Sequence, residues 1–340
     1  MIIRSKAPLR IGLAGGGTDV SPYSDIYGGA ILNATINMYA YATIIPGNDN
    51  KIRIHAADKN EKIEYESTNT LPINGNLDLA KAIYNRMVKN FNLENLSFEL
   101  ITYVDAPPGS GLGSSSTLVT AIIGAFVEWL NLPLGEYDIA NLAFTIERID
   151  LNYAGGKQDQ YASTFGGVNF MEFYDKGKVI VNPLRIRNNI LNELSYNLVL
   201  YYTGTSRLSS KIIANQQNSI QNNKQNSINA MHQTKEMAIV MKEAILKGNL
   251  DEIGPIMMKA WNYKKKMATG ISNKQIDVIY ESAINAGASG GKISGAGGGG
   301  YMFFYCPENS RYNVIKELKK FGGEIQPFQF TKNGLNSWSI

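Results

Sequence analysis

A mixed strand-and-helix fold divided into two domains is what this sequence predicts, and three observations carry the prediction. Its 340 residues exceed the size at which a single hydrophobic core stops growing. The first hundred residues alternate like strands, whereas later segments carry apolar residues at helical spacing. A strand, helix, strand pattern then closes the chain.

The predicted elements run as follows. Strands cover Ile3 to Leu13, Ala30 to Ile45, Lys51 to Ala57 and Ile63 to Glu66, where β-branched and aromatic residues cluster. Leu79, Ile83 and Met87 share one helical face with Ala80, Tyr84 and Val88, giving a helix over Leu79 to Phe91, and Leu96 to Val104 alternates again. Helices follow at Thr117–Leu130 and Tyr137–Asp150, short strands between Phe165 and Ile186, and a strand from Leu198 to Tyr202. Ser209 to Lys247 is a long polar helical region. Helices around Asp251–Met267 and Asn273–Ala286 precede strand Tyr301–Tyr305, helix Ser310–Phe321 and strand Glu324–Phe330. We place the domain division at 1–188 and 189–340.

Three glycine-rich clusters stand out. Pro107-Pro108-Gly109-Ser110-Gly111-Leu112-Gly113-Ser114-Ser115-Ser116 opens into an apolar helix, the construction of a phosphate cradle: glycines bring backbone N–H groups close to an anion, and the helix start adds unpaired donors and the positive end of a dipole. The serines can cap that helix and offer hydroxyls to a phosphate-bound metal. Serines stand where a Walker A loop carries lysine, so positive charge must come from elsewhere. Pro8-Leu9-Arg10-Ile11-Gly12-Leu13-Ala14-Gly15-Gly16-Gly17-Thr18-Asp19 is a strand ending in glycines and a carboxylate. Asp19 there suits a ligand hydroxyl and a turn cap equally well. Gly290 to Gly300 contains Gly-x-Gly-x-x-Gly, but a helix precedes it and a strand follows, the reverse of a dinucleotide fingerprint; a loop closing over phosphates fits better.

Acidic groups sit near Gly155-Gly156-Lys157-Gln158-Asp159-Gln160. A phosphoryl-transfer site needs a carboxylate to accept a hydroxyl proton and another to hold Mg²⁺, for which Asp159 and Glu147 are the candidates; taken alone, Asp159 beside Lys157 also reads as a solvated surface pair. The net charge of +4, without a long basic run, argues against nucleic acid or a membrane surface as the main partner. One cysteine, Cys306, excludes an internal disulfide, and two histidines far apart make a zinc site improbable. Met1 to Lys6 turns polar at once and the apolar stretch near Leu118 to Leu130 is too short to span a bilayer, so a cytoplasmic location is expected.

In this order and spacing the clusters resemble the motifs of the GHMP kinase family, small-molecule kinases that include galactokinase and mevalonate kinase. The resemblance covers nearly the whole chain and implies an α+β fold with a ribosomal-S5-like N-terminal domain, a ferredoxin-like C-terminal domain and the active site between them. It implies that Pro108, Gly109, Ser110, Gly111, Leu112, Gly113, Ser114, Ser115 and Ser116 wrap the phosphates of ATP, with Ser115 and Glu147 near Mg²⁺. Asp159 matches the family's catalytic aspartate, with Arg10 beside it to offset charge on the transferring phosphoryl group. Gly16, Gly17, Thr18, Asp19, Lys157, Arg207 and Gly297 are the expected substrate contacts, Lys157, Arg207 and Lys211 being cations suited to a distal phosphate; Arg207 and Lys211, four apart, read equally as an ordinary solvated helix face.

Galactokinase carries Gly-Glu-His-Thr-Asp where this chain has Gly15-Gly16-Gly17-Thr18-Asp19. Losing a carboxylate and a ring opens the pocket and removes repulsion toward an anionic sugar. Within the family the chain most resembles the bacterial enzymes that phosphorylate the anomeric hydroxyl of D-glycero-D-manno-heptose 7-phosphate, giving the 1,7-bisphosphate for nucleotide-activated heptose. Alternatives are a kinase for fucose or galactose, and a catalytically silent ATP- and sugar-binding regulator. A sugar phosphate is the expected partner, with no nucleic acid or membrane, and a homodimer is allowed.

Overall fold

The computed structural model describes residues 1–94, 96–205 and 209–340. Alternation in the first hundred residues becomes strands β1 (Ile3–Ala14), β2 (Gly29–Pro46), β3 (Lys51–Ala56), β4 (Glu61–Glu66) and β5 (Phe98–Val104), with the short helix α1 (Tyr23–Tyr27) and α2 (Asp78–Phe91) between them. His55 lies on β3, as the alternation implies. Helices α3 (Ser114–Leu130), α4 (Glu136–Thr145) and α5 (Gln158–Phe165) follow; a single π turn, Ile146–Asp150, extends α4.

Strands β6 (Val168–Phe173) and β7 (Val179–Pro183) return to the first sheet. Next come α6 (Asn188–Asn197), β8 (Leu198–Tyr202), α7 (Ser209–Gln221), α8 (Gln225–Lys247), α9 (Ile253–Lys264) and α10 (Lys274–Asn285). β9 (Gly290–Ile293), β10 (Tyr301–Tyr305), α11 (Arg311–Leu318), β11 (Glu324–Gln326) and β12 (Asn336–Ser339) complete the order.

Two sheets result. The eight-stranded sheet runs β12-β1-β2-β5-β3-β4, with β6 on β2 and β7 on β6. β2 is 18 residues long, which lets its first half pair with β6 and its second half with β5, both alongside β1. The other sheet has the order β11-β8-β10-β9, its registered pairs antiparallel. The proposed division at 188/189 separates the strands of the two sheets apart from β12, which pairs antiparallel with β1 through Ile3↔Ser339 to Lys6↔Asn336.

α3 is apolar nearly all round because it is buried, lying against β1, β2 and β12. Phe126 and Phe98 are fully buried there, edge to face with ring centroids 5.5 Å apart. A second core joins α8 and α9 to β1, β2 and β8, through Met241, Ile245 and Met257 facing Leu9, Leu32 and Leu200. Among the described residues no helix is long and apolar enough to cross a membrane. Burial pushes the Cys306 thiol up to about 12, so it packs as a small apolar group.

α3 approaches β12 closely at Gly124. A Cβ there would lie 2.6 Å from Leu335 Cδ1 and 2.9 Å from the hydroxyls of Ser5 and Ser337. Gly124→Val is therefore expected to cost about 1–3 kcal/mol by overpacking, seen as a drop in melting temperature. Wild-type melting of that variant would refute the close packing of helix on strand.

Candidate active site

Gly15 begins the turn after β1. Its φ is +81° and a Cβ would stand 2.0 Å from the carbonyl oxygen of Ala30, so no other residue fits without moving β2. Thr18 Oγ1 donates within this turn, 2.8 Å from Gly15 O and 3.0 Å from Ala30 O, and accepts from Ala30 N–H at 3.1 Å. The turn is thereby fixed to β2, and Asp19 is delivered into the interior.

The phosphate-loop glycines Gly109, Gly111 and Gly113 have φ of +72°, +84° and +80°. Gly113 is the N-cap of α3, and the three serines form the first helical turn, with no side-chain hydrogen bond capping it. Capping by those serines, expected from the sequence, is thus corrected: a left-handed glycine starts the helix, and the first-turn N–H groups stay available to an anion. Ser115 Oγ instead lies 3.1 Å from Glu147 Oε1, while Gln160 Nε2 donates to Glu147 Oε2 at 2.5 Å and to Ser116 Oγ at 3.1 Å. Glu147 is 1% exposed and sits on the π turn, which directs it and the adjacent Arg148 toward the same space.

Asp159 occupies the first turn of α5. Its Oδ1 accepts from Arg10 Nε at 2.7 Å and lies 2.6 Å from Nη2. Arg10 Nη1 donates to Gly111 O at 2.7 Å, and Ser294 Oγ donates to the same carbonyl at 2.8 Å. A Cβ on Gly113 would come within 3.2 Å of Asp159 Oδ2, so this carboxylate rests against the phosphate loop.

Asp19 caps α5 from outside the helix: its Oδ2 accepts the N–H groups of Lys157 at 2.8 Å and Gln158 at 3.0 Å. Its Oδ1 is buried with no partner among the described residues. Burial raises the Asp19 pKa above its ordinary value, the nearby Asp159 charge adds to the rise, and the two N–H groups oppose it. Asp19 thus caps α5 rather than its own turn, which Thr18 closes, and its second oxygen is left without a partner among the described residues.

A cleft of about 800 Å³ joins these groups, the size of a small-ligand pocket. Of the expected residues, Arg10, Gly17, Asp19, Glu147 and Asp159 line it, as do Gly109, Gly111, Gly113, Ser114, Ser115 and Ser116; Lys211 lies on its wall. Others do not. Lys157, the residue before α5, turns its ammonium to Asp25, 3.5 Å away, and over the Phe144 ring, away from the cleft, so its expected substrate contact is corrected.

Gly297 packs on Ile271, where a Cβ would be 2.6 Å from its carbonyl oxygen, so it shapes the third loop rather than facing the cleft. Pro108, Ser110, Leu112, Gly16 and Thr18 do not line the cleft, Leu112 being part of the core. Arg207 lies outside the described residues. The third cluster backs the second: a Cβ on Gly300 would be 2.3 Å from Ser110 O, and one on Gly111 2.5 Å from Ser294 O.

Sequence reasoning missed Lys264, Gln158, Gln216 and Tyr153, all lining the cleft. Gln216 Nε2 donates to Gly17 O at 2.6 Å, which anchors the Gly15–Asp19 turn to α7. Lys264 is one of three consecutive lysines, and only its helical phase against Trp261 and Met257 marks it as inward.

The family sequence models described as "GHMP kinases N terminal domain" and "GHMP kinases C terminal" match residues 78–167 and 241–324. The chain is 51% identical over 338 residues to a D-glycero-alpha-D-manno-heptose 7-phosphate kinase of Campylobacter jejuni, covering 99% of each. It superposes with a TM-score of 0.85 and 46% identity on a solved D-glycero-D-manno-heptose 1-phosphate kinase from Bacteriodes thetaiotaomicron, again covering 99% of both chains. A galactokinase of Lactococcus lactis, at 19% identity and a TM-score of 0.79 over 98% of this chain and 95% of its own, shares the fold.

Because burial raises the Asp19 pKa, the folded state holds its proton more tightly than the unfolded chain, and stability is lost as pH rises through the folded pKa. Asn at this position keeps an oxygen for the two N–H groups without a buried charge. Asp19→Asn is therefore expected to melt at pH 7 no lower than wild type. A clearly lower melting temperature would show that the charge itself holds α5.

Proposed function

The chain belongs to the GHMP kinases, which are ATP-dependent, and we propose that it transfers the γ-phosphoryl group of ATP to the anomeric hydroxyl of D-glycero-D-manno-heptose 7-phosphate, giving the 1,7-bisphosphate. The observation that carries this reading is the 51% identity running through the full length of a relative named for that substrate. The α anomer in that relative's name is the form we assign to the acceptor. The glycine turn supports an acceptor larger than galactose, since neither Gly16 nor Gly17 places a side chain where the family's galactokinases carry acidic and imidazole groups.

In this reading Asp159, which lines the cleft beside Arg10, is the proton acceptor. The anomeric hydroxyl gives its proton to this carboxylate as its oxygen attacks the γ-phosphorus. The new O–P bond forms while the bond to the β–γ bridging oxygen breaks, and ADP leaves with that electron pair. Arg10 holds Asp159 in orientation from one side, and its charge offsets what develops on the phosphoryl oxygens. Asp19 Oδ1, buried and unpartnered, suits a sugar hydroxyl donor. The first-turn N–H groups of α3 and the positive-φ glycines suit the ATP phosphates.

A magnesium ion fits this donor set. Ser115 and Glu147 offer adjacent oxygens, the hard ligands Mg²⁺ prefers, and among the described residues no cluster of three or more His, Cys, Asp or Glu could hold a metal by itself. Bound there, Mg²⁺ would neutralise phosphate charge, with phosphates and water completing its shell. Lys211 on the cleft wall supplies a cation for the distal phosphate. The single, buried cysteine suits the reducing cytoplasm, where ATP and sugar phosphates are found.

Coupled ADP release across heptose, mannose and fucose derivatives, each with and without a terminal phosphate, tests the substrate. Preference for heptose 7-phosphate is expected; equal or better turnover of an unphosphorylated sugar would displace it. Asp159→Asn should lower kcat by about 10²–10⁴-fold while ATP binding stays near wild type. Near-normal turnover in that variant would remove Asp159 as the base.

A further inference from the structure

Lys264 ends α9 and is 4% exposed, yet it lines the cleft. Lysines are rarely buried unless paired with a carboxylate, because desolvating an ammonium is costly. Here the hydrogen-bond partner recorded among the described residues is a backbone carbonyl, Gly295 O. An ammonium carries three donors, so two remain for the cleft.

Two contacts locate those donors. Gly295 packs on the phosphate loop, its Cβ position 2.7 Å from Gly111 Cα, so the carbonyl holding Lys264 is fixed to the loop. On the other side, a Cβ on Gly16 would sit 3.5 Å from Lys264 Nζ, so the turn Gly15–Asp19, the acceptor turn of the proposed reading, borders the ammonium. Lys264 thus stands between the phosphate loop and the acceptor turn, the place of the group in transfer. No lysine exists in the phosphate loop itself.

On the reading that this site transfers a phosphoryl group from ATP to a sugar, we propose that Lys264 is a catalytic residue whose ammonium contacts the γ-phosphoryl group, supplying from the second sheet's side the cation that the phosphate loop lacks. The charged groups facing it are Arg10 from β1, Asp19 from the acceptor turn, Asp159 from α5 and Lys292 from β9. Burial and the Arg10 charge lower the Lys264 pKa to about 8, and Asp19 and Asp159 partly counter this. Free enzyme accordingly loses this charge progressively as pH rises through about 8. Bound phosphate oxygens restore it.

The test compares wild type with Lys264→Met and Lys264→Arg. Calorimetric binding of AMP-PNP and of ADP separates the γ-phosphoryl contact from the rest of the nucleotide and needs no sugar. Lys264→Met is expected to weaken AMP-PNP by about 10-fold or more with ADP unchanged, and to lower kcat by about 100-fold. In wild type, kcat/KM should fall above pH about 8, and Lys264→Arg, charged throughout, should keep AMP-PNP affinity and lack that alkaline limb.

Unchanged AMP-PNP affinity in Lys264→Met, equal weakening of both nucleotides, or an unaltered alkaline limb in Lys264→Arg overturns the proposal. Should Lys264→Met fail to fold, the arginine variant's pH profile and AMP-PNP affinity decide alone. Failure of wild type to turn over heptose 7-phosphate would overturn the substrate reading instead, leaving the nucleotide comparison to judge Lys264.

Discussion

One guanidinium organises this site. Arg10 projects from β1 and is 2% exposed, and its donors divide between the Asp159 carboxylate and the carbonyl of Gly111. A planar fork of five donors can hold both at fixed angle, which an ammonium cannot. The carboxylate on α5, the phosphate loop before α3 and, through Ser294, the third glycine cluster are thereby referred to one strand. Glycine makes that convergence sterically possible, because Gly111 and Gly300 accept neighbouring backbone at distances no Cβ tolerates.

Charge at the site is distributed among elements distant in sequence. α3 gives partial positive charge without side chains, Arg10 brings a full charge from β1, and Lys264 comes from α9. Carboxylates divide similarly: Glu147 is surrounded by Ser115, Gln160 and Arg148, while Asp19 is split between capping α5 and facing the cleft. Lys292 has a different part. The residue is 2% exposed and its ammonium donates to Gly12 O at 2.7 Å, joining β9 to β1, while burial draws its pKa well below the ordinary value.

Long elements were legible because their signal is local. β1, β2, α2 and α3 each repeat one period over many residues, and their predicted bounds lie within three residues of those found. The glycine clusters were legible for the same reason, whereas the pairing of Arg10 with Asp159, 149 residues apart, came only from the resemblance to the GHMP kinases. α5 was not: it spans eight residues after two glycines, and its cap is Asp19, 138 residues earlier. Lys157 misled as a cation in a glycine-flexed loop, since its partner Asp25 lies 132 residues earlier and sequence spacing does not show that pairing. β9 and β12, four residues each, depend on partners already in place and carry too short a period to announce themselves.

β12 has a consequence for motion. The polypeptide leaves the large sheet after β7, builds the small one, and comes back to lie beside β1, so the second sheet is an insertion tethered at both ends. α8 and α9 pack across the junction against β1 and β2. A single-hinge clamshell needs one flexible crossing; two crossings and a shared core leave sliding of packed helices as the accessible movement. On the cleft side the Gln216 amide ties α7 to the Gly15–Asp19 turn, so a slide of that helix is coupled to the turn rather than independent of it.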